Sequence, residues 1–442
     1  MKKLIFIAII ALALFVASGM AQPTTVTQSI TQNDDGFTAA TVQTAQNTAT
    51  ATSPGGAAVV TQTQTITQNA GTGAAGTATV TQNGQNTQPG TADGAPGSTI
   101  TAAVIQNAVT TAGGAINQRA RNNDASFVGG SANRAITQAI TQTATAGPGT
   151  DINQGGMGGG ANPAENSARI QGANGIINQL VDQTANGGNN VAQRADNGGP
   201  TTATSGPNPA FPVVAIFNGG NGAQARGQLN QAINQNAGQI TPALGGVLQA
   251  GENMAVPSAS GATVAQAVTQ AGTTAGTGGG ASVTQTGHNF EMSGWFTLGQ
   301  RNNLNINQAL TQTGIANGGV AANVVNQNGA NLADSFGTGY IVNQAITATA
   351  WGTSVNQGTL VPANPMRNWM SVGLGFVTGT GSATVAQAQT LNALAFGPGN
   401  AVQNSQNNAA GLWAPAATGT LAQAIQQQNA GFVGSGQAAL NN

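Results

Sequence analysis

The stretch Ile306-Asn307-Gln308-Ala309-Leu310-Thr311-Gln312 limits what this chain can fold into. In a β-strand successive side chains point to opposite faces. Ile306, Gln308, Leu310 and Gln312 therefore share one face, and Asn307, Ala309 and Thr311 share the other. A glutamine facing solvent on a half-buried strand belongs with the polar set, yet here Gln has the parity of Ile and Leu. Burying a lone amide is costly. Burying one beneath an identical amide is different, because Gln carries two N–H donors and an acceptor and can bond along a ladder while its methylenes pack beside aliphatic neighbours.

The same heptad recurs as Val26, Gln28, Ile30, Gln32; as Ile136, Gln138, Ile140, Gln142; as Leu229, Gln231, Ile233, Gln235; as Val264, Gln266, Val268, Gln270; and as Leu421, Gln423, Ile425, Gln427. Looser copies lie at 60–68, at 177–183 and at Val342, Gln344, Ile346, with degenerate ones near 104 and 385. The mean spacing is about 39 residues, and from 229 onward the gaps alternate as 35, 42, 36, 43 and 36. A shorter apolar-x-Gln motif falls between many of these, as in Val80-Thr81-Gln82, Val283-Thr284-Gln285 and Val325-Asn326-Gln327. Each is followed by residues with turn chemistry: Gly84 and Asn86, Gly287 and Asn289, Gly329 and Asn331.

One strong and one weak strand per unit predict an all-β, repetitive β-solenoid of stacked β-arches with buried Gln/aliphatic ladders. Eleven units at about 4.8 Å per rung stand about 50 Å tall. A helical reading, with apolar residues at i and i+4, is opposed by flanking Thr, Asn, Val and Ile and by frequent Gly.

Lys2 and Lys3, the apolar run 4–16 and the small residues ending at Ala21 read as a secretory signal peptide, residues 1–21. The remainder divides into an irregular region, 22–228, with Gly/Pro-rich loops, and a more regular region, 229–442, with Trp- and Phe-containing insertions. The aromatics nominate the C-terminal third for a conventional core, and Val213–Phe217 for an extra strand. An extracellular or cell-surface location follows from the signal, with no membrane span after its removal.

Beyond Lys2 and Lys3 the chain has no lysine, and charged residues are 5% of the whole. That excludes an electrostatic surface for nucleic acid. The chain has no Cys and one His, so disulfides, thiolate metal sites and His-pair metal sites are excluded within one chain. His288 reads as a turn residue and Asp34-Asp35-Gly36 as a solvated turn. Glu252, Glu291 and Asp334 lack acid/base spacing. The Gly runs lack a following Lys-Ser/Thr, and no Gly-x-Ser-x-Gly elbow occurs. The expectation is a non-enzymatic chain without a cofactor.

The segment Ile306-x-Gln308-x-Leu310-x-Gln312-x-Gly314-x-x-Asn317 resembles the curlin repeat, in which an apolar/Gln strand leads into Gln-x-Gly-x-x-Asn and a second strand. The resemblance implies turn roles for Gly314 and Asn317. It also implies a secreted functional amyloid that polymerises by stacking strand–turn–strand units. The expected partners are copies of the chain itself, with a nucleator or secretion partner left open. The expected product is a fibre, sheath or biofilm matrix held by the ladder residues named above. The alternative is a monomeric β-solenoid adhesin, or an ice- or glycan-binding protein, using the opposite Thr/Asn face, where Thr61, Thr63, Thr65 and Thr67 align.

Overall fold

Period-2 alternation becomes strand along the chain. The computed structural model describes residues 10–14, 23–34, 40–50, 58–72, 79–87, 95–111, 113–127, 133–155, 163–198, 223–240, 246–257, 260–276, 280–292, 302–318, 323–335, 339–358, 366–372, 382–396, 399–410, 418–430 and 434–441. Among these there is no helix. The strands form two columns, each joined by parallel, in-register pairing. The first column stacks β2 (Thr24–Asp34), β4 (Val60–Thr72), β6 (Thr99–Thr110), β8 (Ala135–Ala146), β10 (Ala164–Gly187), β12 (Ala223–Ile240), β14 (Thr263–Gly276), β16 (Asn305–Gly318), β18 (Tyr340–Gly352), β21 (Ser382–Ala395) and β23 (Thr418–Ala430).

The second column stacks β1 (Ile10–Leu14), β3 (Ala40–Thr50), β5 (Thr79–Thr87), β7 (Gly114–Phe127), β9 (Thr150–Gly155), β11 (Asn190–Asn197), β13 (Gly246–Pro257), β15 (Ser282–Met292) and β17 (Val324–Ser335). It continues through β19 (Ser354–Gln357) and β20 (Met366–Val372), which share one rung, to β22 (Asn400–Ala410) and β24 (Gly434–Asn441). One coil takes about 38 residues and contributes one strand to each column, which makes the molecule a β-solenoid. β10 serves both columns: Glu165 and Asn166 pair with β7, and Ile176 to Gly187 pair with β8.

The interior is built in stripes. One aliphatic stripe includes Ile136, Leu229, Val264, Ile306 and Val342. A second includes Ile30, Ile140, Ile233, Val268, Leu310 and Ile346. A third, from the second column, includes Val80, Ile116, Val283 and Val325. Large residues face small ones across the gap. A Cβ at Gly287 would overlap Leu310 Cδ1, one at Gly329 would overlap Leu310 Cδ2, and one at Gly84 would come within 2.6 Å of Val104 Cγ1. These glycines are inward positions left empty for the facing aliphatic side chain.

Several expectations are corrected here. Gly84, Asn86, Gly287, Asn289, Gly329 and Asn331 lie inside β5, β15 and β17, not in turns. Gly314 also lies within its strand, with Val325 Cγ1 2.6 Å from its would-be Cβ, and Asn317 is exposed near the end of β16. None of these residues has the left-handed backbone conformation. Their Gly-x-Asn spelling records packing and side-chain bonding instead of chain reversal. Turns do use that conformation at Gly187 (φ 75) and Gly188 (φ 91), which join β10 to β11.

The division at 228/229 falls inside β12, and the β10–β12 register runs on through Ala185↔Ala237. The aromatics form no separate core among the described residues. Trp351 is 45% exposed and meets Phe396 edge-on at 6.0 Å, and Trp369 lies under Arg367. Trp295, Trp413 and the segment 213–217 lie outside the described residues, as do most of residues 1–21.

Candidate functional site

Between the aliphatic stripes run columns of buried amides. In the first column of strands, Gln308 donates from Nε2 to Oε1 of Gln266 at 2.9 Å and to the Leu332 carbonyl at 2.8 Å. Gln312 donates to Oε1 of Gln270 at 2.8 Å and to the Asn328 carbonyl at 2.9 Å. Each amide therefore ties its rung to the rung before it and its sheet to the facing sheet. Two properties of Gln make this possible: two N–H bonds on one nitrogen, and a stem long enough to reach across. Gln266, Gln270, Gln308 and Gln312 are each no more than 2% exposed.

The ladder through Gln312 is continuous back to Gln32, by way of Gln270, Gln235, Gln183, Gln142, Gln106 and Gln68. Its neighbour runs from Gln138 to Gln423 through Gln179, Gln231, Gln266, Gln308, Gln344 and Gln387. Ala102 interrupts this second ladder, standing in register between Gln64 and Gln138. Val26, Gln28 and Ile30 are buried at one end of the stack. At the other end Leu421 is 44% exposed, and Gln423, Ile425 and Gln427 are partly covered.

The sequence reading missed the most complete ladders, which lie in the second column of strands. A Gln ladder runs unbroken from Gln43 through Gln82, Gln118, Gln154, Gln193, Gln249, Gln285, Gln327, Gln357 and Gln403 to Gln437, at 2.7–3.0 Å. An Asn ladder runs from Asn47 through Asn86, Asn122, Asn166, Asn197, Asn253, Asn289, Asn331, Asn368 and Asn407 to Asn441, at 2.8–3.1 Å. The signal that finds them is Gln-x-x-x-Asn, as in Gln285…Asn289 and Gln403…Asn407. It places both amides on one strand face, two side chains apart.

The two ladders have opposite polarity. In the Gln ladder each residue donates to the coil before it, whereas in the Asn ladder each donates to the coil after it. Each column is a row of aligned amide dipoles, which polarise one another along the row.

Charge is sparse and placed by register. Arg121 Nε lies 2.9 Å from Glu165 Oε2, and its Nη2 donates to Oε1 at 3.2 Å. Asp196, Glu252 and His288 continue the same column. His288 is therefore a strand residue, stacked on Phe290 with ring centroids 5.4 Å apart, and not the turn residue expected. Burial pushes its pKa down to about 4. No group of three or more metal-binding side chains occurs among the described residues.

The fold and its amide columns define a parallel β-solenoid whose interior alternates aliphatic stripes with ladders of hydrogen-bonded amides. Comparison with protein-family models, curated proteins and solved structures found no match for the chain.

Proposed function

We propose that the chain is a secreted structural protein whose solenoids self-assemble by strand stacking into an extracellular fibre, sheath or matrix. The observation that carries this reading is that, among the described residues, both columns end on strands with one edge unpaired. β23 pairs with β21 and β24 with β22, and neither pairs onward among the described residues. On β23 the inward Leu421 is 44% exposed and the inward Ile425 only partly covered. An uncapped parallel edge above exposed aliphatic residues is a template for another strand. Near-zero net charge removes long-range repulsion between copies. The outward Ala, Asn and Thr side chains of the first column, such as Asn307, Ala309 and Thr311, suit lateral packing of filaments.

The test is light scattering and negative-stain microscopy of the product secreted by its own cell. Filaments that scatter increasingly with concentration support the reading, and a product that stays a single solenoid at millimolar concentration removes it.

A second reading has its own observation. Thr61, Thr63 and Thr67 stand in register over Thr25, Thr27 and Thr31, and Thr61 and Thr63 also pair with Thr99 and Thr101. This two-dimensional hydroxyl patch would serve a monomeric adhesin, or an ice- or glycan-binding protein. Inhibition of ice recrystallisation, or glycan binding, lost on Thr63→Val would favour it.

A further inference from the structure

The ladders have a direction, and a direction constrains how copies can join. In the Asn column every residue from Asn86 to Asn441 accepts a bond at Oδ1 from the preceding rung. The first member does not: Asn47 Oδ1 is buried without a partner. The rung beneath it is β1, whose Ala11 stands in register with Asn47 and offers no amide. At the other end Asn441 already accepts from Asn407, and its Nδ2 is the next donor of the series. The Gln column is the mirror case. Gln437 donates to Gln403, which leaves Oε1 as its onward group; Gln43 accepts from Gln82, and its Nε2 donates to the Gln32 and Asn69 carbonyls, the same pair of carbonyl contacts that Gln82 Nε2 makes beside its ladder bond.

We propose that copies of this chain join head to tail only, with the C-terminal rung of one copy under the N-terminal rung of the next. Asn441 Nδ2–H then donates to Asn47 Oδ1 of the next copy, and Gln43 Nε2–H of that copy donates to Gln437 Oε1. The spacing agrees at both strands. Gln437…Asn441 and Gln43…Asn47 have the same four-residue offset, so one register satisfies both bonds. In that register β2 falls over β23, with Val26, Gln28, Ile30 and Gln32 above Leu421, Gln423, Ile425 and Gln427. Head-to-head joining sets acceptor against acceptor at Asn47 and reverses the strand direction, so every column breaks at the junction. β1 lies on the β3 edge that the junction needs, so it leaves before a copy is added there.

This inference rests on the self-assembly reading, and Asn441→Asp separates the two. The new carboxylate still accepts from Asn407, so the solenoid keeps its own bond, but it turns an anionic oxygen instead of an N–H toward the next copy. Leu440→Asp adds the same charge one residue away on the outward face and is the control. Asn441→Ala is a neutral second variant that also lacks the donor. Elongation is followed from labelled seeds of secreted protein by fluorescence microscopy. Seeds extended with wild-type or Leu440→Asp chain grow in uniform polarity. Asn441→Asp adds once and terminates, cutting elongation by about tenfold or more at equal concentration, the ratio set by about 1.4 kcal/mol. Asn441→Ala is also slowed. Unchanged elongation by both Asn441 variants, or filaments of mixed subunit orientation, overturns the head-to-tail junction. Absence of wild-type filaments overturns the self-assembly reading itself.

Discussion

Gln312 donates to Oε1 of Gln270 at 2.8 Å, but its own Oε1 is buried without a partner. The position above it in register is Ala348, so the ladder that began at Gln32 ends there. Ala348 packs in one core cluster with Met366, which holds the rung position of Gly329 on the facing sheet. A small residue has replaced Gln on one side, and a large one has replaced Gly on the other.

That exchange gives a double-mutant test. Ala348→Gln alone overpacks against Met366, and Met366→Gly alone leaves a cavity. Each is expected to cost about 1–3 kcal/mol. Together they extend the ladder to Gln312 and restore the Gly position, so the pair should unfold within about 1 kcal/mol of wild type. Chemical denaturation of the four chains measures the coupling, and additive losses would count against the size exchange.

Gln285 is held by Gln249 and by the Thr313 carbonyl in the unbroken ladder. Gln285→Glu removes both donated bonds and sets a buried carboxylate beside acceptors. A loss of about 3 kcal/mol or more is expected, because the uncompensated charge adds to the missing bonds. Thr284→Glu, pointing outward from the same strand, should change stability by about 0.5 kcal/mol or less. Thermal unfolding of the two variants provides the comparison. The same logic covers Gln308→Glu and Gln312→Glu: within one chain these break the coil as well as any junction between copies, while changes at Asn307 and Thr311 are borne better.

Gly329→Ala drives a Cβ into Leu310 Cδ2. The expected cost is about 1–3 kcal/mol. Shortening the clashing side chain with Leu310→Ala in the same chain should recover part of it, so the double variant is more stable than the sum of the singles implies. If Gly329→Ala is neutral, the reading of these glycines as space for facing aliphatics fails.

His288 titrates at about 4 in the fold because burial disfavours its charged form. The unfolded chain takes up the proton near 6.5. The unfolded state therefore binds more protons between these values, and stability falls as pH drops from about 6.5 to about 4. Above that window the contribution is constant. Glu252 stands in register with His288 on the neighbouring strand. His288→Gln should flatten this part of the stability–pH curve, read by denaturant midpoints across the window.

Much of the fold was legible in the sequence because parity is a strict signal. In Val264 to Gln270 every second residue is inward, and one slip would have turned Gln266 and Val268 outward together. The Asn column was not legible by the same rule. Asn86, Asn289 and Asn331 follow Gly, and Gly-x-Asn spells a turn as readily as it spells an inward vacancy beside a ladder. What separates the two is Leu310, which fills the space above Gly287 and Gly329 from a strand of the other column. That contact is long-range, and local spacing does not contain it. The Arg121–Glu165 pair was hidden likewise, since only the stacking register brings these residues together.

The most direct test of the account is a cryo-electron microscopy reconstruction of the secreted product. The expected result is a filament of solenoids in one orientation, with rungs about 4.8 Å apart and the Gln43–Gln437 and Asn47–Asn441 columns continuous across each junction. Discrete single solenoids, or filaments whose subunits meet through surfaces other than these end rungs, would contradict it.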